Sequence, residues 1–238
     1  MYNIYLMTGE NRVPVIKVCG IQNINEALGS VEAGANTIGM LLGITHTAED
    51  KITNETGKGI VDALPAGIRT VMVTNLLDAD EIRDIAKEVG ISAVQIHDDL
   101  GVLGIKKLRE LLPGIELIKA IHVTGEEALQ QALQYAPHVD RLLLDSRTKD
   151  RLGGTGQTHD WSISRRIVEA VDKPVILAGG LNPGNIESAI ERVMPYGIDA
   201  NSGLENEDGS KDFDKVLKFT QAGAKLRMPS KYEKNSQS

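Results

Sequence analysis

The sequence predicts an α/β protein folded as a single (β/α)8 barrel. Three observations carry this expectation. Short β-branched, apolar runs alternate with stretches of helical periodicity along the chain. There are eight such strand–helix units, the number that closes a parallel barrel. The 238 residues, 41% apolar and 25% charged, suit one large globular domain. A doubly wound open sheet is the alternative, but it seldom has so regular a count.

Each unit has its own signal. Residues 13–20 (VPVIKVCG) read as a strand buried on both faces, and 25–33 as a helix ending at Gly34, a candidate C-cap. Residues 37–42 are the second strand. The helix over 53–64 has Thr53 as a possible N-cap and Ile60, Val61 and Leu64 on one face. Residues 68–73 are the third strand. Ile82, Ile85, Ala86 and Val89 share a face of the helix over 78–89, which Gly90 closes. Strands at 93–97 and 116–123 flank a helix over 102–112, and a further helix covers 126–135. Strand six at 141–145 precedes a helix over 162–171, strand seven at 175–180 a helix over 183–193, and strand eight at 197–201 the last helix, over 212–224.

Composition narrows the function. Only 3% of residues are aromatic, so the core must be aliphatic, and base-stacking RNA platforms are unlikely candidates. One cysteine excludes a disulfide scaffold and a cysteine-based zinc cluster. A net charge of −7 argues against nucleic acid and anionic membranes as partners. No apolar stretch approaches the ~18 residues of a membrane span, and the N-terminus lacks a signal pattern, so a cytoplasmic protein is expected. Residues 1–12 read as an N-terminal extension, 13–226 as the barrel and 227–238 as a polar tail. Helix faces rich in Ala, Leu and Ile are compatible with a monomer or a homodimer.

A barrel directs chemistry to the C-terminal ends of its strands. Strand one ends at Cys19 and strand six at Asp145. A lone cysteine is ordinarily a small buried hydrophobe, but at a barrel mouth a thiolate of lowered pKa could act as base or nucleophile. A carboxylate after three leucines is costly to bury unless it is paired or used, which suggests a general acid. Glycine-rich turns follow late in the chain at Gly153–Gly156, Gly179–Gly180 and Ser202–Gly203. Backbone amides there could hold a phosphate without any arginine cluster. His46, His97 and His122 fall at or just past strand ends, but no H-x-x-x-H spacing supports a metal, and polar lining is the expected role.

Several of these segments resemble phosphoribosylanthranilate isomerase, an enzyme family of tryptophan biosynthesis. Lys17-Val18-Cys19-Gly20-Ile21 is similar to its opening K-[IV]-C-G-[IL], and Gln95-Ile96-His97 to its Q-[LV]-H. Leu143-Leu144-Asp145-Ser146, Gly153–Gly156 and Asp160-Trp161 resemble its L-L-D-[ST], G-G-[ST]-G and D-W elements. Leu177–Leu181 and Gly197–Gly203 resemble its last two motifs. The resemblance implies a TIM barrel and an Amadori rearrangement of a small phosphorylated sugar, with no cofactor and no metal. It implies Asp145 as general acid on the ribose ring oxygen and Cys19 as general base at C2′. It also implies substrate contacts at Lys17, Gln95, His97 and Asp199, and a phosphate site at Gly154, Thr155, Gly156, Gly179, Gly180, Asn201, Ser202 and Gly203.

Three places depart from the family pattern, one of them Asp98-Asp99 after strand four, where the family more often has Gly and then an acidic residue. The family usually carries S-x-R-[YF] after strand two, its Arg meeting the anthranilate carboxylate; an ungapped count puts Asp50 there. Lys51 could supply a point charge but not a bidentate contact, with Arg147 or Arg151 as other sources. Asn201 stands where Ser is usual. Two alternatives therefore stay open: a sister isomerase whose substrate lacks the anthranilate carboxylate, and a non-catalytic phosphometabolite-binding barrel.

Overall fold

The computed structural model describes residues 13–45, 47–146 and 159–227. Among them the chain forms β1 (Val15–Val18), α1 (Ile24–Glu32), β2 (Thr37–Leu41), α2 (Asn54–Ala63), β3 (Arg69–Thr74) and α3 (Ala79–Val89). Next come β4 (Ala93–Ile96), α4 (Gly101–Leu111), β5 (Glu116–His122), α5 (Glu127–Tyr135), β6 (Arg141–Asp145) and α6 (Trp161–Ala170). The last are β7 (Val175–Leu177), α7 (Ile186–Val193), β8 (Gly197–Ala200) and α8 (Phe213–Gly223). The strands pair in parallel in sequence order, and β1 pairs with β8 to close the barrel. The expected extension at 1–12 and residues 228–238 of the tail lie outside the described residues.

The helices start where side chains satisfy their free amides. Asn23 accepts from the Glu26 N–H, Thr53 from Thr56, and Asp78 from Asp80 and Glu81. Gly90 ends α3 in the left-handed conformation. Two shorter boundaries have local causes. β7 stops at Leu177 because Gly179 and Gly180 take φ of +81° and +67°. α7 begins late because Asn182 and Asn185 tie the preceding turn: the Asn182 N–H donates to Asn185 Oδ1 and the Gly184 N–H to Asn182 Oδ1.

Strand alternation separates two cores. Val15, Val71, Val73, Ile118, Leu143 and Ile176 fill the inside of the barrel. A larger aliphatic shell, including Ile38, Met40, Ile82, Ile105 and Ile167, lies between sheet and helices. Phe219 of α8 and Trp161 of α6 belong to that shell. Toward the N-terminal end of the strands the barrel is plugged by charge. Glu116 pairs with both Arg69 and Arg141, and the Arg141 guanidinium lies 4.8 Å above the Tyr196 ring. None of the described helices is long and apolar enough to cross a membrane.

Closure between β1 and β8 needs Gly197, which pairs with Val15. A Cβ on Gly197 would sit 2.5 Å from the Val15 Cβ and 2.7 Å from its carbonyl oxygen. Neither neighbour is a flexible side-chain end. Gly197→Ala should therefore destabilise the protein by about 1–3 kcal/mol, the usual cost of overpacking, read by urea unfolding.

Candidate active site

At the C-terminal mouth the site is built around a buried ion pair. Lys17 is fully buried, and its Nζ donates to Asp199 Oδ2 at 2.7 Å and to Gln95 Oε1 at 3.0 Å. The pairing joins β1 to β8 and reaches across to β4. Burial alone would lower the Lys17 pKa, but the Asp199 carboxylate outweighs it and keeps the ammonium above its ordinary range. Lys17, Gln95 and Asp199 were expected as direct substrate contacts. In the structure they are hydrogen-bonded to one another, and Lys17 exposes no surface.

Cys19 follows Lys17 on the same face of β1. Both side chains lie over Gly39 of β2, where a Cβ would meet Cys19 Sγ and Lys17 Cε at 2.8 Å each. The missing side chain of Gly39 is what lets the thiol and the ammonium share this space. A lowered thiol pKa was the expectation for a base, and the surroundings of Cys19 act in the other direction. Burial pushes Cys19 up to about 11; Lys17 pulls it down, while Asp199 and Asp50 add to the rise. The resting residue is therefore a thiol.

Asp145 ends β6, only 8% exposed. Burial and repulsion from Asp199 raise its pKa to about 7, against the Ser146 N–H and Lys17. That matches the expectation for a proton donor. The Lys17–Asp199 pair thus acts electrostatically on both candidate residues. His97 and His122 border Asp145. His97 Nε2 is 3.9 Å from Asp145 Oδ2, and His122 is the register partner of Asp145. The two imidazoles meet edge to face with centroids 4.9 Å apart. His46, expected in their company, lies outside the described residues.

Two glycine loops border the mouth. A Cβ on Gly179 would strike the Ser146 backbone nitrogen, and one on Gly203 the Leu181 carbonyl oxygen. The loop after β8 therefore rests directly on the loop after β7. Ser202 is exposed at the start of a short 3-10 turn. Gly154, Thr155 and Gly156 lie outside the described residues, as do Arg147 and Arg151.

The Asn201 side chain, expected at the phosphate site, is held between Asp50 and Lys211. Its Nδ2 donates to Asp50 Oδ2 and its Oδ1 accepts from Lys211 Nζ, both at 2.7 Å. Lys211 also pairs with Glu205 at 2.7 Å. Two of the departures from the family pattern are thus one contact, bridging the loops after β2 and β8. Gly20, at φ +69°, leaves the room that this amide needs. Lys51 is exposed beside Asp50. Sequence reasoning missed Gly39, Lys211 and the placement of His122 against Asp145. The only available signal was that Asp50 and Asn201 changed together.

The family model for N-(5′-phosphoribosyl)anthranilate (PRA) isomerase matches residues 16–222. The chain belongs to this family. Among curated members, N-(5′-phosphoribosyl)anthranilate isomerase 2 of Methanosarcina mazei is 43% identical over 206 residues, covering 86% of this chain and 91% of the relative. The Haloferax volcanii isomerase is 37% identical, covering 89% and 94%. The solved phosphoribosylanthranilate isomerase of Thermotoga maritima superposes with a TM-score of 0.79 at 32% identity, covering 89% of this chain and 98% of that one. Another solved isomerase, in complex with reduced 1-(o-carboxyphenylamino)-1-deoxyribulose 5-phosphate, gives 0.76 at 31% identity, covering 90% and 99%.

Two expectations for this isomerase-family barrel follow from the buried charges. Lys17→Met would leave Asp199 buried without its counter-ion, which should cost about 3–5 kcal/mol in urea unfolding. Asp145→Asn should have the opposite effect at alkaline pH. Because the folded-state pKa of Asp145 is near 7, above the unfolded value, its neutral form is the stabilising one. That contribution is full below about pH 4 and is lost as pH rises through 7. Asp145→Asn should therefore melt higher than the parent at pH 8, and the gain should vanish in melts at pH 4.

Proposed function

We propose that the chain converts N-(5′-phosphoribosyl)anthranilate to its 1-deoxyribulose 5-phosphate isomer by an Amadori rearrangement, a cytoplasmic step of tryptophan biosynthesis. The observation that carries this reading is the mouth itself. In a chain of the isomerase family, burial raises both a carboxyl and a thiol that stand over the Lys17–Asp199 pair, leaving the carboxyl protonated near neutrality.

Asp145 donates its proton to the ribose ring oxygen as the C1′–O bond breaks. The nitrogen lone pair forms the C1′=N bond, leaving a cationic iminium. Cys19, as the thiolate left once its own proton has gone to solvent, removes the C2′ proton, and the C–H electron pair flows to the iminium nitrogen. The resulting enol becomes the ketone at C2′ as C1′ takes up the proton held on Cys19 and the enol O–H proton returns to Asp145. Substrate and product are isomers and both residues regain their protons, so the balance needs no redox partner. The resting thiol also fits: the iminium supplies beside Cys19 the positive charge that lowers its pKa. Lysine and aspartate do the tuning, and the substrate completes it.

The phosphate is read onto backbone amides of Gly179–Gly180 and Ser202–Gly203, which face the same mouth after β7 and β8. Lys51 is the cation assigned to the anthranilate carboxylate, since Asp50 occupies the usual Arg position and is engaged by Asn201. That same Asp50 is the observation favouring the second reading, a sister isomerase whose substrate has no carboxylate.

The purified protein should consume phosphoribosylanthranilate, followed as loss of its fluorescence. Cys19→Ala and Asp145→Asn should each lower kcat by at least ~10²-fold with phosphate-analogue affinity retained. A folded protein that binds such analogues without turnover would overturn the first reading in favour of the second.

A further inference from the structure

His97, His122 and Asp145 come from the ends of three neighbouring strands, β4, β5 and β6. One nitrogen from each histidine and one carboxylate oxygen all lie within 4.8 Å of one another. In a tetrahedral zinc site, with bonds near 2.0–2.1 Å, ligand atoms stand about 3.3 Å apart. Rotations of three side chains on fixed strand ends can close that difference. The His122 ring is already oriented: its Nε2–H donates to the His97 carbonyl oxygen at 3.1 Å, the kind of outer contact that holds ligating imidazoles in place. Asp145 is buried and both histidines are half-buried, so this is not a solvated acidic patch.

We propose that His97, His122 and Asp145 form a divalent-metal site of two imidazoles and one carboxylate, whose occupation takes Asp145 out of the isomerase reaction. Two nitrogen donors and one oxygen favour Zn²⁺ and Co²⁺ over Mg²⁺ and Ca²⁺, which prefer all-oxygen shells. A metal held by the Asp145 carboxylate occupies the oxygen that would carry the proton delivered to the substrate. The site is inhibitory, so chelation preserves turnover and added zinc abolishes it. This silencing rests on the role of Asp145 as the acid, whereas the binding itself does not.

The test uses the full chain stripped with a chelator and titrated with ZnCl₂ by calorimetry, and with Co²⁺ by its visible d–d absorption. One metal per chain is expected. His122→Asn and Asp145→Asn should each weaken binding at least ~10-fold, with melting curves confirming that both fold. The parent should be inhibited reversibly by zinc, and whatever turnover His122→Asn retains should be insensitive to it. Equal zinc affinity in parent and His122→Asn would overturn the site. Binding without inhibition would overturn the silencing. Absence of turnover in the metal-free parent would instead count against the isomerase reading and leave the binding result standing.

Discussion

The buried contact between Lys17 and Asp199 is the constraint on which the rest of the mouth depends. Removing two charges from water costs several kcal/mol per ion, and the 2.7 Å pairing plus the Gln95 hydrogen bond offsets much of it. An aliphatic pair would fill the same space with less conflict. What the charges supply is a fixed field beneath a thiol and a carboxyl. Lys17 lowers the pKa of both groups and Asp199 raises both. The net result is a carboxyl that still holds a proton near neutrality. The neighbouring thiol waits for charge to develop on the substrate.

The two ends of the barrel divide the labour. At the N-terminal end, Glu116 is shared by two guanidiniums and Tyr196 covers one of them, so charge there is paired and packed. At the C-terminal end, charge is deliberately unbalanced around Asp145, which burial makes unfavourable to ionise. That is a stability cost carried at the site of chemistry, a familiar trade in enzymes.

Much of this was legible in the sequence because it is local. Alternating runs and caps such as Asn23, Thr53 and Asp78 announce their own elements, and the strand ends at Cys19 and Asp145 stand out against aliphatic runs. What was not legible depends on distance along the chain. Lys17 and Asp199 are 182 residues apart, and nothing near either names the other. The thiol pKa was expected to fall because a base should be ready. It rises because burial, Asp199 and Asp50 outweigh one lysine. Asp50 and Asn201 looked like two separate departures, one of them damaging. Their hydrogen bond across 151 residues makes them a single substitution in physical terms.

The meeting of the two glycine loops has a thermodynamic meaning. Gly203 lies against the Leu181 carbonyl and Gly179 against the Ser146 amide, so neither loop can be displaced without moving the other chain segment or strand end it touches. An anion arriving there meets amides whose entropy of ordering was already lost when the protein folded. A phosphate bound at these loops, as proposed, would draw on preorganisation and not on cation number, which is compatible with a net charge of −7. The affinity of such a site would depend only weakly on salt, compared with one made of lysines at the surface.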